Sequence, residues 1–189
     1  METLNILTTR LNIRNLVPSD LTDFHTYRSN PEVTKYQGFD VMSIEQAEAF
    51  ISNNATKHFG IANEWVQFGI ENIESGQLIG DCAIKFHEHE TRIAKIGITI
   101  SNTEQKKGYA KEALIGILAF LFDTIEIHRV EEIVDVENIA SINLLKSTGF
   151  KLEGHFIENI FFKGKWGSEF QYAMLKREWD LIKKLHFSK

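Results

Sequence analysis

Between Lys95 and Ala110 the chain places an apolar run, a short basic loop and the start of a helix in direct succession. The run is Lys95-Ile96-Gly97-Ile98-Thr99-Ile100, and the loop is Gln105-Lys106-Lys107-Gly108-Tyr109-Ala110. A helix start carries backbone N–H groups that lack intrahelical acceptors, together with a partial positive charge. It therefore favours an anion such as a diphosphate. Gly108 lets the backbone approach phosphate oxygens with no Cβ in the way, and Ala110 stays small for the same reason. Lys106 and Lys107 add charge for phosphates in looser contact. Gly97 inside an apolar run predicts a bulge, or the close approach of another backbone or a ligand.

A second segment follows the next strand: Val136-Glu137-Asn138-Ile139-Ala140-Ser141-Ile142-Asn143-Leu144-Leu145-Lys146-Ser147-Thr148-Gly149-Phe150. Asn138 is placed to cap a short helix, and Ser141 then falls in its first turn. The other reactive types offer less. The one cysteine, Cys82, sits in an apolar run and reads as a small buried core residue. With no second cysteine there is no intrachain disulfide and no cysteine-based metal site. The seven histidines show no metal-ligand spacing, so no metal is expected.

The elements that must position these residues follow from periodicity. Strands are expected over 10–17, 65–73, 77–86, 93–100, 130–136, 150–162 and 168–175, seven in all. Gly76 marks one hairpin turn, and Gly164 with Gly167 another. Helices are expected from Pro18-Ser19-Asp20 to about Ser29, where Asn30-Pro31 breaks the chain. Others run from a Ser43 cap with Gln46 at the third position, from Gly108 to Phe122, from Asn138 to Ser147, and from Glu178 to Leu185. Ala110, Leu114, Ile117, Leu118 and Leu121 share one face of the third. This order predicts an α/β (α+β mixed) fold: a central twisted, mixed and mostly antiparallel sheet of about seven strands, flanked by helices.

The 189 residues are expected to form a single domain, 1–189, which can bury ~70% of the surface its unfolded form exposes. A hydrophobic share of 43% and a charged share of 25% are ordinary globular values, and no internal repeat is present. A net charge of -5 argues against a nucleic-acid or membrane-surface partner. The opening Met1-Glu2-Thr3-Leu4-Asn5 lacks the basic-then-apolar pattern of a leader, and no window approaches a membrane span. A cytoplasmic location is therefore expected.

Taken together, the phosphate-type loop and the Asn138–Phe150 segment resemble the GNAT acetyltransferase superfamily. Within it they resemble the branch typified by ribosomal-protein N-terminal acetyltransferases, the RimJ/RimL type. That branch shows Gln/Arg-x-x-Gly-x-Gly/Ala at the loop and Asn-x-x-Ser at the next helix, then a Gly-Phe pair and a Glu-Gly, here Glu153-Gly154. Thr9 to Arg14, Arg28 to Val33, Lys163 to Trp166 and Glu178-Trp179 are similar to its flanking segments, so the resemblance spans nearly the whole chain.

The resemblance implies a GNAT-like acyl-CoA N-acyltransferase fold, with acetyl-CoA as cosubstrate and no metal. Ile98, Thr99 and Ile100 would pair their backbone with the pantetheine arm, which behaves as an added strand. Gln105, Lys106, Lys107, Gly108, Tyr109 and Ala110 would cradle the diphosphate. Asn138 and Asn143 would bond the pantetheine or hold splayed strands, and capping by Asn138 is compatible with that role. Ser141 would face the sulfur and protonate the leaving thiolate. The acceptor would be a primary amine, either a peptide N-terminus or a small molecule, and the protein a monomer or homodimer.

The general base is where this sequence departs from the pattern. Relatives often carry a glutamate on the bulged strand, where Lys95 stands here. Glu158, on the strand after the Gly-Phe pair, is one candidate for the base. A solvated strand residue is the competing reading of Glu158. Asp81, His87 and His89 are weaker candidates. Lys95 also leaves open a noncatalytic acyl-CoA-binding or sensing domain. The aromatic cluster Phe161, Phe162, Trp166, Phe170 and Tyr172 reads as core or a dimer face.

Overall fold

A computed structural model describes residues 4–187. Met1, Glu2 and Thr3, on which part of the leader reading rests, lie outside that span. Eight strands form one sheet: β1 (Asn5–Leu7), β2 (Leu11–Asn15), β3 (Val66–Asn72), β4 (Leu78–Phe86), β5 (Ile93–Ile100), β6 (Arg129–Asp135), β7 (Lys151–Phe162) and β8 (Lys165–Leu175). Their order across the sheet is β1-β2-β3-β4-β5-β6-β8-β7, and every neighbouring pair is antiparallel except β5 with β6. The helices are α1 (Leu21–Arg28), α2 (Pro31–Thr34), α3 (Ile44–Ala55), α4 (Tyr109–Ala119), α5 (Ile139–Ser147) and α6 (Lys176–Phe187). Among the described residues no helix is long and apolar enough to cross a membrane.

Two cores lie on the two faces of the sheet. The larger gathers Ile13, Phe68, Ile84, Leu114, Leu118, Leu145 and Trp179, and the smaller packs Phe24, Tyr27 and Ile51 against Leu16 and Leu78. Burial on this scale stabilises each large apolar side chain by about 1.5–3 kcal/mol. The expected apolar face of α4 is buried, and Ser43 and Gln46 form the capping box expected at α3.

Several local expectations differ from the structure. β1 is an eighth strand; three residues are too few to show a period, and it exists through its tight turn into β2. The first helix ends at Arg28, before Asn30-Pro31 as expected, but Asn30-Pro31 also starts the one-turn helix α2, because the Asn30 side-chain carbonyl accepts from Glu32 N at 2.9 Å and proline suits a first helical position. The β7–β8 turn is Lys163-Gly164, both with positive φ, so Gly167 lies inside β8. No bulge occurs at Gly97: it pairs directly with Ala83 and the β4–β5 register runs without a shift. Of the aromatic cluster, Tyr172 is buried whereas Phe161 and Trp166 are 62% and 61% exposed on the β7–β8 hairpin.

Asp81 is fully buried and is not available as a base. Arg28 Nε and Tyr27 Oη donate to it at 3.0 and 2.6 Å, and Gln67 donates as well. The cluster ties α1 to β4 under the small core. Burial, followed by the charge of Asp81, pushes the adjacent Cys82 thiol far up, so Cys82 is an inert core residue. Removing one partner of such a pair strands a buried charge. Asp81→Ala should cost about 3–5 kcal/mol in urea unfolding, with Arg28 left uncompensated.

Candidate active site between diverging strands

The parallel pair β5–β6 is short. Ile93, Ala94 and Lys95 pair with Arg129, Val130 and Glu131, and there the ladder ends. β5 continues to Ile100 on β4, and β6 continues to Asp135 on β8. The two strands therefore diverge after Lys95 and Glu131. From Ile96 to Ile100 the β5 edge that faces β6 has no strand partner among the described residues. Backbone amides on such an edge are available to a ligand that brings its own amides. Ile98, Thr99 and Ile100 lie on this edge, with Thr99 and Ile100 buried.

A cavity of about 300 Å³ fills the opening. Ile96, Gly97 and Ile98 line it from β5, and Glu132 to Asp135 from β6. A Cβ built on Gly97 would meet nothing within 4 Å, so this glycine leaves open space on the cavity wall. Asn138 and Ser141 enter from the start of α5. The Asn138 side chain accepts from Ser141 N at 3.2 Å, which is the expected cap. The Ser141 hydroxyl has no partner among the described residues. Tyr36 and Gly38 form part of the rim, with Tyr36 Oη donating to Glu137 O at 3.2 Å. Lys163 Nζ ties the β7–β8 hairpin to this rim through Thr34 O at 2.6 Å.

Glu132 lines this opening and is a residue that the sequence reading passed over, as is Asp135. Its carboxyl has no hydrogen-bond or ion-pair partner among the described residues, and burial alone pushes its pKa up from 4.5 to about 8. Its neighbour Glu131 is held by Arg129 at 2.7 Å instead. The sequence does carry a trace of this. Adjacent glutamates in a strand must point to opposite faces, so one of the pair faces the core side or a cavity. Tyr36 and Trp65 also line the cavity and were not singled out as site residues.

The loop Gln105–Gly108 and the start of α4 lie beyond the end of β5. Lys106 and Gly108 both take positive φ, 65° and 86°. For a lysine this conformation costs roughly 1–2 kcal/mol, whereas Gly108 adopts it freely. None of the backbone N–H groups from Gln105 to Ala110 has an acceptor among the described residues. Successive free N–H groups in alternating left-handed turns form a concave donor surface suited to a phosphate. The loop is held from outside. Arg10 pairs with Glu112 at 2.7 Å, donates to Lys107 O at 3.2 Å and lies 4.4 Å from the Tyr109 ring centroid. Gln105 Nε2 donates to Ile100 O at 3.1 Å, fixing the loop to the end of β5.

The other expected residues sit apart. Asn143 is exposed on α5. Glu158 is exposed, has a φ of 47° in an irregular part of β7, and does not line the cavity; its backbone N–H donates to Ser168 Oγ at 2.9 Å. His87 and His89 are exposed beyond β4, and no group of three or more possible metal ligands exists among the described residues. A larger groove of about 1040 Å³ runs between the β1–β2 turn and the outer face of α4. Its acids Glu112 and Asp123 are already paired with Arg10, Lys176 and Lys183.

Residues 10–151 match the model of the acetyltransferase (GNAT) domain. An uncharacterised N-acetyltransferase of Bacillus licheniformis is 33% identical over 95% of this chain and 99% of its own length. A spermidine N(1)-acetyltransferase of Vibrio cholerae is 26% identical over 85% of this chain and 90% of its own. Among solved structures, a GNAT-family acetyltransferase from Bacillus anthracis superposes with a TM-score of 0.81 at 26% identity, covering 92% of this chain and 99% of that one.

Proposed function

We propose acetyl transfer in a ternary complex with Glu132 as the base, on the premise that this chain belongs to the acetyltransferase (GNAT) domain family. It is an acetyl-CoA-dependent N-acetyltransferase. The acceptor in this reading is a primary amine, and the spermidine N(1)-acetyltransferases among the relatives support a small-molecule amine over a peptide N-terminus. The observation that carries the mechanism is the partly buried, unpartnered Glu132 carboxyl in the opening between β5 and β6.

Acetyl-CoA supplies an activated thioester. The N–H groups from Gln105 to Ala110 suit its diphosphate, and the free edge of Ile98, Thr99 and Ile100 suits the amides of its pantetheine arm. This runs the thioester into the opening, past the site where Gly97 leaves room. Asn138 holds the first turn of α5, and through it Ser141, at the cavity wall.

An alkyl ammonium must lose a proton before it can attack, and its pKa is ~10.4. Transfer to an ordinary carboxylate near 4.3 would be uphill by about 8 kcal/mol. Transfer to a carboxylate at about 8 is uphill by only about 3 kcal/mol. Burial of Glu132 is thus what makes a carboxylate a usable base here. As the amine adds, negative charge gathers on the acetyl oxygen, and a free N–H on the β5 edge is suited to receive it. The unpartnered Ser141 hydroxyl is suited to donate to the departing sulfur. A base on β6 also removes the feature that favoured a noncatalytic binding domain, since Lys95 need not be a glutamate.

The base role predicts a rate that rises with pH through about 8, because the ionised carboxylate is the active form. Glu132→Gln should lower kcat by about 10²–10⁴-fold and abolish that limb in free-thiol release assays. A variant that keeps wild-type turnover would end the assignment. Ser141→Ala should lower kcat while the dissociation constant for acetyl-CoA, measured by calorimetry, stays within about twofold; a change confined to binding would reassign Ser141 to the cofactor. Gly108→Glu should remove cofactor binding, since any side chain is strained at this φ and a carboxylate repels phosphate. Acetyl-CoA at ~100 times its dissociation constant should stabilise the wild-type fold by ~2.7 kcal/mol in thermal melts and leave this variant unshifted.

A further inference from the structure

One cluster of side chains joins the start of β2 to the loop 105–108 and to the first turn of α4. Arg10 Nε donates to Glu112 Oε2 at 2.7 Å, and Arg10 N and Thr8 Oγ1 both donate to Glu112 Oε1 at 2.7 Å. A single carboxylate in the first turn of α4 thus takes three donors from the residues that lead into β2. Arg10 Nη1 reaches on to Lys107 O at 3.2 Å, and the guanidinium carbon lies 4.4 Å from the Tyr109 ring centroid. Arg10 Nη2 is 3.4 Å from where a Cβ on Gly108 would lie, so the guanidinium backs the loop at its glycine. The Tyr109 hydroxyl accepts from Asn72 Nδ2 at 3.0 Å. Tyr109 therefore commits its ring and hydroxyl to β2 and β3, and its backbone N–H is the part left for a ligand.

We propose that Arg10 is a positioning residue for the cosubstrate: through Glu112, Lys107 O and the Tyr109 ring it holds the loop in the shape that receives the diphosphate. The inference rests on the placement of acetyl-CoA given above and adds to it a residue from far upstream in the chain. Two properties of the cluster support it. The carbonyl that Arg10 holds belongs to Lys107, which lies between the two positive-φ residues Lys106 and Gly108. A loop fixed in this shape beforehand does not draw its ordering cost from the binding affinity. Glu112 is also an acid close to the helix start that must receive phosphate, and Arg10 offsets its charge. The pair is poorly suited to holding the fold instead. The Arg10 side chain is 44% exposed, and an ion pair so open to solvent adds little to folding stability. Lysine is no substitute for Arg10. An ammonium is a point charge on a flexible stem and cannot meet Glu112 and Lys107 O together while a flat group lies on Tyr109.

The test compares acetyl-CoA with S-acetylpantetheine, which carries the same thioester and arm but no diphosphate. Dissociation constants come from calorimetry for the first and from thermal shifts at millimolar ligand for the second. The proteins are wild type, Arg10→Ala, Arg10→Lys, Arg10→Ala/Glu112→Gln and a control, Arg92→Ala, which breaks another exposed ion pair of 2.7 Å before β5. Wild type and control should bind acetyl-CoA at least about 100-fold more tightly than S-acetylpantetheine. Arg10→Ala should weaken acetyl-CoA about tenfold, the scale of losing hydrogen bonds to a charged group, and change S-acetylpantetheine by less than about twofold. Arg10→Lys should weaken acetyl-CoA by at least about threefold. The double variant should bind acetyl-CoA no more weakly than Arg10→Ala, because an unpaired Glu112 no longer repels the phosphates. Unchanged acetyl-CoA affinity in Arg10→Lys would overturn the proposal, and this variant decides the matter even where Arg10→Ala fails to fold. A parallel loss for both ligands, with a lowered ligand-free melting temperature, would mark a structural pair and also overturn it. A further loss in the double variant would overturn action through Glu112. Equal affinity of the wild type for the two ligands would instead sink the placement of the diphosphate in this loop, and the role of Arg10 with it.

Discussion

The divergence of β5 and β6 after three paired residues is the constraint on which the site depends. A parallel ladder carried further would consume the edge from Ile96 to Ile100 and close the cavity. The strands part because each is held by its outer neighbour: β5 stays in register with β4 to Gly80–Ile100, and β6 with β8 to Asp135–Glu169. Each is followed by a helix, α4 after β5 and α5 after β6, so two helix starts flank the mouth. Ligands in open α/β sheets bind outside the carboxyl ends of parallel strands, and this chain meets that rule with a single parallel pair. Gly97 and Gly108 then have distinct duties. The first leaves space on the wall, and the second permits a backbone turn that other residues resist.

Two acids of this sheet, Asp81 fully buried and Glu132 partly so, have surroundings that give them opposite properties. Asp81 receives Arg28, Tyr27 and Gln67, so its charge is satisfied and its role is to join α1 to the sheet. Glu132 receives nothing, and burial makes its proton hard to remove until about pH 8. The first is stability without chemistry and the second is chemistry at a cost in stability, because an unpartnered buried carboxyl is unfavourable when ionised. Proteins retain such groups where function needs them, and the lone acid in a cavity is therefore more informative than the well-paired one.

Much of the frame was legible from periodicity and turn residues. The α4 face, the Ser43 and Asn138 caps and the mixed, mostly antiparallel sheet all follow from local pattern. The loop from Gln105 to Ala110 was legible for the same reason: its chemistry is backbone chemistry, set by where a strand ends, a glycine sits and a helix begins. What the sequence could not supply was anything that depends on pairing at long range. Glu131 and Glu132 are adjacent and identical in type, and only the sheet decides that one meets Arg129 while the other faces the opening. Asp135 and Glu169 are 34 positions apart, and the register that sets them opposite depends on the β7–β8 turn lying at Lys163-Gly164 with Gly167 inside the strand. The absence of a bulge at Gly97 belongs to the same class. Glycine in a strand can mean an extra residue or merely an empty wall, and the register with Ala83 distinguishes them.

The position of the base follows from this geometry. A cavity between two diverging strands has two walls, and a carboxylate on either can reach an amine lying between them. With Lys95 on β5, at the last paired position, that wall offers no acid near the point of divergence. The opposite wall offers Glu132, the first residue of β6 beyond the paired segment, where desolvation raises its pKa. Further out along the same strand, where the opening widens, Asp135 keeps company with Glu169 and remains accessible. The three acids thus differ in their partners: among the described residues Glu132 has none, whereas Asp135 accepts from Glu137 N and Glu169 from Asn159 Nδ2.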